Sequence, residues 1–565
     1  MTVPPSEEPG APTGLHALTA AILGVHAAMV LRFWWVTDDA FISFRFARNL
    51  ARGAGLQFNV WDAPPVEGYS NFLWVVLAGG VHAVGLDMVL VMPVLSWMCG
   101  ALLLAVLFRR LVTRLDVPTP IAVVTTLGLA CYPPFAVWST SGLATMPFAL
   151  LLFLTFDRLV LARQGPDWLG GGLCGVALTL IRVEGVAWFA IVAVLALLGH
   201  WSRRRLVLRP LLGAGLLVAA AFGGHILWRH GYYGEWVANT VHVKRVSGPE
   251  FIERGFRYVM ASVLTYLTPL LILPGALLAL RPRRIGTGLG VAALAWAFPV
   301  YAVVVSGDYM PMGRFLVPGL AFATILIAWL LTDLARADRS RMAAALVSGS
   351  AILVIGALPG WNLHGLPSRA RAWCSYRMRE PTKVYTEYER WAQMSVKIER
   401  YRQRGRLTRA FAEAELEPPV TMAVRALGAI GYETDFLMFD CAGLIIPSLA
   451  RQVVTEWVDQ PGHDKAVSLK FFAAEEATIL RVWLFKEEVG PEAVVKGVKS
   501  ALKTHKDPEI RAQYRPELVK MVPAGGGDST FLLVHLYDEG VSLKTWRKLE
   551  RLAIGRLENL HEIRY

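Results

Sequence analysis

Charge is what this chain has least of. Asp, Glu, Lys and Arg together make up 18% of its 565 residues, against roughly 25% in a soluble globular protein, and its mean hydropathy is +0.43. That shortage excludes an ordinary water-soluble domain. No basic run is interleaved with aromatics, so the formal charge of +13 does not describe a nucleic-acid surface. Arginines clustered between apolar runs are what the cytoplasmic loops of a membrane protein carry. Cysteine is scarce too: Cys99, Cys131, Cys174, Cys374 and Cys441 have no metal-site spacing. The first three sit in apolar stretches as small hydrophobes. Cys374 and Cys441 fall in the polar C-terminal part, where they could pair if that part lies outside the cytoplasm. There is no internal repeat and no Gly-rich nucleotide fingerprint. No basic region precedes the first apolar run, which is too long for a signal-peptide core and reads as a retained span.

Long apolar runs, by contrast, are abundant. Stretches of about 20 apolar residues cross a bilayer, and about eleven are expected here: near 15–36, 88–108, 119–138, 143–162, 168–181, 185–200, 209–228, 258–280, 286–305, 316–334 and 341–359. The run 71–86 is short and contains Gly79, Gly80 and His82, so it reads as a helix at the membrane surface. With that choice every second connection is arginine-rich: Arg109/Arg110/Arg114, Arg158/Arg163, Arg203/Arg204/Arg205/Arg209, Arg281/Arg283/Arg284 and Arg336/Arg339/Arg341. The positive-inside rule makes those connections cytoplasmic. The other face then receives Asp38 to Trp74, the connection Trp138–Met146, the turn Arg182-Val183-Glu184, the loops 229–257 and 306–314, and everything after about residue 360. The chain thus divides into a membrane domain, 1–360, and a C-terminal domain, 361–565. In the latter, 382–404 and 542–558 read as helices, 421–441 as two short strands around a Gly turn, and 478–485 and 530–537 as strands.

Acids and bases at a membrane edge are costly to keep there and mark function. The first outer stretch opens with Asp38 and Asp39, followed by Arg45, Arg48 and Arg52 at helical spacing and then Glu67, Tyr69 and Asn71. Asp39 is placed to cap a helix beginning near Ala40. On that helix Ile42, Phe46 and Leu50 form one arc and the arginines another, the pattern of a helix lying along a membrane surface with its bases toward headgroups or a bound lipid's phosphate. A carboxylate beside a phosphate clamp can remove a proton from an acceptor hydroxyl or stabilise charge at a sugar's anomeric carbon while arginines hold the departing phosphate. Other clusters expected on that face are Arg182 with Glu184; Asp308 and Arg314 around GDYMPMGRF; and Tyr232, Glu235 and Asn239 in a loop that suits a sugar. A transporter would instead place charges near mid-span, and a glycan-binding scaffold would need no catalytic carboxylate.

The motifs TDDAFISFRFARNLARGAGLQFN and VEGYSNFLW (37–74), HGYYGEWVANT (230–240), SGDYMPMGRFLVP (306–318), GAIGY (428–432) and PGHDK (461–465) resemble those of membrane-embedded GT-C-type glycosyltransferases. Within that class they are similar to the mycobacterial-type terminal β-(1→2) arabinofuranosyltransferases and their wider bacterial relatives. The resemblance implies a polytopic helical bundle with surface helices in its first outer loop, and a C-terminal α/β domain outside a bacterial inner membrane. It also implies a polyprenyl-phosphate sugar as donor, arabinofuranose being the expected sugar, and a cell-envelope glycan as acceptor. Asp38 and Asp39 would be the acidic pair, one of them catalytic, with a divalent metal at the pair left open. Arg45, Arg182 and Arg314 would hold the donor phosphate, and Glu67, Tyr69, Asn71, Tyr232, Glu235, Asn239, Asp308 and His463 would contact substrate. Two departures stand out: Ala144 replaces an acid usual in SGLATMPF, and Val183 a usual Pro. The first removes a carboxylate from the outer face.

Overall fold

A computed structural model describes residues 13–61, 64–162, 165–200, 204–245, 248–266, 284–336, 339–357, 387–452, 462–473, 475–503, 508–525, 528–538, 557 and 560–565. The chain begins with α1 (Thr13–Arg32), α2 (Asp38–Ala51), α3 (Phe72–Ala83), α4 (Met88–Thr113), α5 (Thr119–Cys131), α6 (Pro133–Ser139) and α7 (Thr145–Leu159). It continues through α8 (Trp168–Ile181), α9 (Gly185–Gly199), α10 (Arg204–Tyr233), α11 (Asn239–Lys244), α12 (Pro249–Tyr266) and α13 (Ile285–Val304). A 3-10 turn, Arg314–Gly319, then leads into α14 (Leu320–Ala335), and α15 (Arg339–Ala357) follows.

Each expected span is a helix over at least part of its length, but the helices are unequal. Among the described residues five are long and apolar enough to cross a membrane, or six if the bent pair α5–α6 counts as one. That pair breaks by 59° at Pro133-Pro134, since the ring of Pro134 sits where a continuing helix needs an amide. Helices α8 and α9 have 14 and 15 residues, about 21–22 Å at 1.5 Å per residue, short of a hydrocarbon core of roughly 30 Å. The expected span 258–280 begins in α12 and continues outside the described residues. With 12 residues, α3 is too short to cross, as anticipated, and packs on α2 with Gly79 against Ala47 and Leu50. The arginine-rich ends share one pole, where Arg110 pairs with Asp157 at 2.6 Å and Arg284 with Asp333 at 2.9 Å.

Among the described residues the C-terminal part opens with α16 (Glu387–Glu415) and is built on a mixed six-stranded sheet of order β2-β1-β3-β5-β4-β6. Its strands are β1 (Thr421–Val424), β2 (Leu437–Asp440), β3 (Ile479–Lys486), β4 (Tyr514–Val522), β5 (Thr530–Tyr537) and β6 (Glu562–Arg564). The expected strands at 478–485 and 530–537 are present. The two strands within 421–441 are present too, but they run parallel. A parallel pair cannot be joined by a tight turn, and the expected Gly turn is a helix, α17 (Gly428–Thr434). Helices α18 (Pro447–Ala450) and α19 (Pro491–Lys503) also belong to this part. The expected helix 542–558 lies, but for Leu557, outside the described residues, as does Cys374 and with it any pairing to the buried Cys441.

Candidate active site

The TDD loop is pinned from both sides. Trp35 donates its indole N–H to the Val137 carbonyl at 2.8 Å and meets Trp138 edge-on at 5.4 Å. Thr37 donates its amide to the Ser141 carbonyl at 3.0 Å. Thr37, not Asp39, is the residue before α2, and both aspartates lie in the first helical turn, where the helix dipole favours carboxylates. One position apart on a helix, they point in different directions.

Asp38 faces the C-terminal domain. Its carboxylate accepts the amides of Ala429 at 2.8 Å and Gly428 at 3.3 Å, capping α17. Burial pushes its carboxyl up to about 6, against the lowering by those two amides. The GAIGY motif is the knob that makes this contact possible. A side chain at Gly428 would run into the Asp38 carbonyl, and a Cβ at Gly431 would come within 2.8 Å of Phe58.

The basic arc of α2 belongs to the same seam, and here the expectation is corrected. Arg45 is 2% exposed and donates to the carbonyls of Phe58 at 2.9 Å, Gly431 at 2.6 Å and Phe436 at 2.5 Å. Arg48 and Arg52 both pair with Asp435 at 2.8 Å, and the Arg48 guanidinium lies 4.5 Å from the Tyr432 ring centre. From Ala40 to Asn49 the helix is buried in protein. Helix α2 is therefore an internal joint, not a surface helix facing headgroups, and Arg45 has no face to offer a phosphate.

Asp39 faces the other way, into a recess between the membrane helices. It is about one third exposed, at 31%. It accepts the Tyr309 hydroxyl at 2.8 Å and lies 3.8 Å from the Arg314 guanidinium. Arg314 also meets Asp308 at 2.6 Å without its Nε–H being aligned on an acceptor. Arg182 is paired with Glu184 at 2.5 Å and remains about one fifth exposed, at 22%. The GDYMPMGRF loop holding Asp308, Tyr309 and Arg314 is fixed by Glu387, which takes the Met312 amide, and by Trp138, which donates to the Met312 carbonyl at 3.0 Å.

The recess holds a residue that the sequence does not single out. Lys244, at the end of α11, is exposed, yet surrounding protein lowers its ammonium pKa. The charges next in influence are Arg314 and Arg182, which lower it, and Asp39 and Asp308, which raise it. Its ammonium is thus within electrostatic reach of Asp39, Asp308, Arg182 and Arg314. Its only sequence signal is a lysine closing the HGYYGEWVANTVHVK segment.

The remaining candidates divide. Glu67 and Arg229, each 3% exposed, form a buried pair at 2.5 Å. Tyr69 bonds to Tyr233 at 3.1 Å, Asn71 to Ser43 at 3.1 Å, and Tyr232 accepts the Leu56 amide at 2.9 Å. Asn239 donates to the carbonyls of Gly443 at 2.9 Å and Leu444 at 2.7 Å, and Glu235 pairs with Arg451. These groups are engaged in holding the first loop, the 229–245 segment and the C-terminal domain together. His463 stands edge-on to Tyr309 at 4.9 Å, while its neighbour Asp464 pairs with the buried Arg254 at 2.8 Å. The PGHDK motif is thus a second seam, against the loop that carries Tyr309.

A divalent cation shared by Asp38 and Asp39 does not fit this arrangement. Both Asp38 oxygens accept amides, and Asp39 is engaged by Tyr309 and Arg314. Among the described residues no three His, Cys, Asp or Glu side chains gather as a metal site.

No family model matches the chain. It is 28% identical over 361 residues, 56% of this chain and 50% of the relative, to a terminal β-(1→2)-arabinofuranosyltransferase of Corynebacterium glutamicum. To the protein of the same name from Mycobacterium tuberculosis it is 29% identical over 258 residues, 42% of this chain and 40% of the relative. The chain therefore spans half or less of the length of these curated relatives. Among solved structures, ArnT from Cupriavidus metallidurans bound to undecaprenyl phosphate superposes with a TM-score of 0.50 at 14% identity, covering 94% of this chain and 100% of that one. The fold is GT-C-like. This is a polytopic, mostly helical membrane protein with a β-containing C-terminal domain.

Proposed function

We propose that the protein is a glycosyltransferase that moves a sugar from a polyprenyl-phosphate donor to an envelope glycan, with Asp39 as its catalytic carboxylate. The observation that carries this reading is the composition of the recess: the partly exposed Asp39 beside three cations, Arg314, Arg182 and Lys244, of which Arg314 and Arg182 are also met by Asp308 and Glu184. In that arrangement the acceptor hydroxyl oxygen bonds to the anomeric carbon as the bond from that carbon to the phosphate oxygen breaks. Asp39 takes the hydroxyl proton, and polyprenyl phosphate leaves as an anion. The cations stabilise the charge that grows on the phosphate, the kind of preorganised electrostatic effect that contributes most to such steps. The leaving group is already anionic, so a second, acidic carboxyl is not required of the site.

Both curated relatives carry the name arabinofuranosyltransferase, and the structural relative was solved with a polyprenyl phosphate; these support arabinofuranose as the sugar and a lipid phosphate as the leaving group. With the arginine-rich pole cytoplasmic, the recess and the C-terminal domain face the periplasm, where nucleotide sugars are absent and a lipid must deliver the donor. The test is transfer by the purified protein in nanodiscs from a synthetic polyprenyl-phosphoryl arabinofuranose to an arabinan oligosaccharide, followed by mass spectrometry. Release of polyprenyl phosphate with a product one pentose heavier is expected. Failure with this and other polyprenyl-phosphate sugars, or undiminished transfer by Asp39→Asn, would sink the reading.

A further inference from the structure

A second concavity lies outside the membrane helices, between the first loop, α11 and the edge of the C-terminal sheet. Its volume is about 460 Å³, within the roughly 300–1,000 Å³ of small-ligand sites. Two large aromatics line it with much of their surface free, Trp61 at 41% and Phe471 at 42% exposed. Behind them Phe439 and Phe472 stack at 5.4 Å, a backing that holds the platform in place. Among its polar lining are the Glu235–Arg451 pair, the exposed Glu475, His242 and Ser448.

The walls are preformed. Asn59 exchanges two hydrogen bonds of 2.9 Å with the Met438 backbone. Asn239 ties the segment 443–444, and Lys465 bridges the carbonyls of His242 at 2.7 Å and Ala450 at 2.9 Å. A rigid pocket of this kind loses little entropy on binding.

Its chemistry differs from that of the recess. There a partly exposed carboxylate sits beside Arg314, Arg182 and Lys244; here Arg451 is matched by Glu235, and the exposed apolar surface combines the aromatic faces of Trp61 and Phe471 with the aliphatic Val237. Aromatic faces carry partial negative charge and suit the C–H faces of sugar rings, while paired acid and base groups suit hydroxyls. A polyprenyl chain would need a continuous aliphatic groove reaching the membrane, and a phosphate would need cations in excess, where this pocket sets Arg451 against Glu67, Glu235 and Glu475. Helix α11 joins the two places: Asn239 and His242 line this pocket, and Lys244 at its end lies in the recess.

From these features we infer that the pocket is an acceptor subsite, holding an uncharged oligosaccharide segment of the glycan whose terminal hydroxyl reacts at Asp39. The inference rests on the proposed function and extends it by naming where the acceptor is gripped. Trp61→Ala removes the platform. Ser448→Trp, at an exposed position on the rim, fills the pocket without opening a cavity in the core.

Steady-state transfer to an arabinofuranosyl hexasaccharide should show acceptor KM raised about tenfold or more in both variants, with donor KM within twofold of the parent and an unaltered thermal midpoint. Acceptor KM unchanged in both variants would overturn the inference while leaving the glycosyltransferase reading intact. Should the parent protein transfer no sugar, that reading fails instead. Saturation-transfer NMR with the same hexasaccharide then decides the pocket by itself. A signal on the sugar protons that is present with the parent and abolished by Trp61→Ala supports the subsite; a signal equal in the two proteins, or absent from both, overturns it.

Discussion

Two charge clusters flank α2, and they are organised on opposite principles. At the seam with the C-terminal domain Asp38, Arg45, Arg48 and Arg52 each meet fixed protein partners, amides, carbonyls and Asp435, although the Arg48 Nε–H is buried without an aligned acceptor. A buried charge that lacks partners is expensive, so such partners are what a structural joint requires. In the recess Arg182 and Arg314 are held by Glu184 and Asp308, and Asp39 and Lys244 are the more open charges. Asp39 is 3.8 Å from Arg314, Arg314 has an unaligned Nε–H, and Lys244 is open to solvent. Charges kept in place by a scaffold but left incompletely paired are poised for a ligand. Two carboxylates of the same type, adjacent in the chain, thus do different work because of what each one faces.

The sharpest way to break this contrast is to neutralise the two carboxylates separately. Asp39→Asn should lower kcat by about 10²–10⁴, the range for removing a positioned proton acceptor, with folding intact. Asp38→Asn should keep kcat within about tenfold of the parent. Transfer assays at saturating donor and acceptor decide it; equal losses in both would erase the distinction between joint and site.

The next largest effect is one of stability. Arg45→Met takes the donor from the Phe436 carbonyl and one of two donors from the carbonyls of Phe58 and Gly431, which keep Asn49 and the Asp435 amide; at about 1–3 kcal/mol for a buried group left unpaired, it should destabilise the seam by about 2 kcal/mol or more. Limited proteolysis between the membrane and C-terminal domains, with thermal unfolding in detergent, should report it. A variant as protease-resistant as the parent would show that the seam is held elsewhere.

How these roles read in the sequence follows from what hydropathy can and cannot carry. Spans are legible because burying a whole helix in lipid demands an uninterrupted apolar run, and α1, α4, α10 and α13 begin and end within a few residues of expectation. The Asp38-Asp39 pair is legible as an anomaly of charge. The destination of a basic arc is not. Arg45 looks the same along the chain whether it meets a lipid phosphate or a carbonyl at Gly431, 386 residues away, because the partner's own signal, a backbone carbonyl, has no residue identity. GAIGY likewise reads as a turn, since its glycines are set by the approach of Asp38 and Phe58 and not by a local bend. Lys244 is hidden among the polar residues of its loop; only the fold shows that it turns into the recess beside Arg182 and Arg314.

That placement of Lys244 sharpens the comparison from the recess side. If its ammonium receives the donor phosphate, Lys244→Met loses one charge-assisted hydrogen bond, about 1.5–3 kcal/mol. Donor KM should rise about tenfold or more, acceptor KM should stay near the parent value, and Lys244→Arg should restore much of the loss. An unchanged donor KM would remove Lys244 from the phosphate site.

The smallest effect is expected at the seam, as a dependence of stability on pH. In the folded chain burial raises the Asp38 carboxyl from 3.8 to about 6, so between those values the folded state binds more protons than the unfolded one. Stability from this group is therefore fully present below pH 3.8 and lost as pH rises through 6, a change of about 3 kcal/mol at most. Glu387, pushed up by burial to about 7, and Asp440, pushed up to about 6, act in the same direction and persist in any Asp38 variant. Asp38→Asn cannot titrate, so its thermal midpoint should fall less steeply than the parent's between pH 4.5 and 6.5, while the curves above pH 7 run parallel. Parallel curves throughout would mean that Asp38 stays ionised at its two amides. The carboxylates of the seam and the recess would then differ only in where they point.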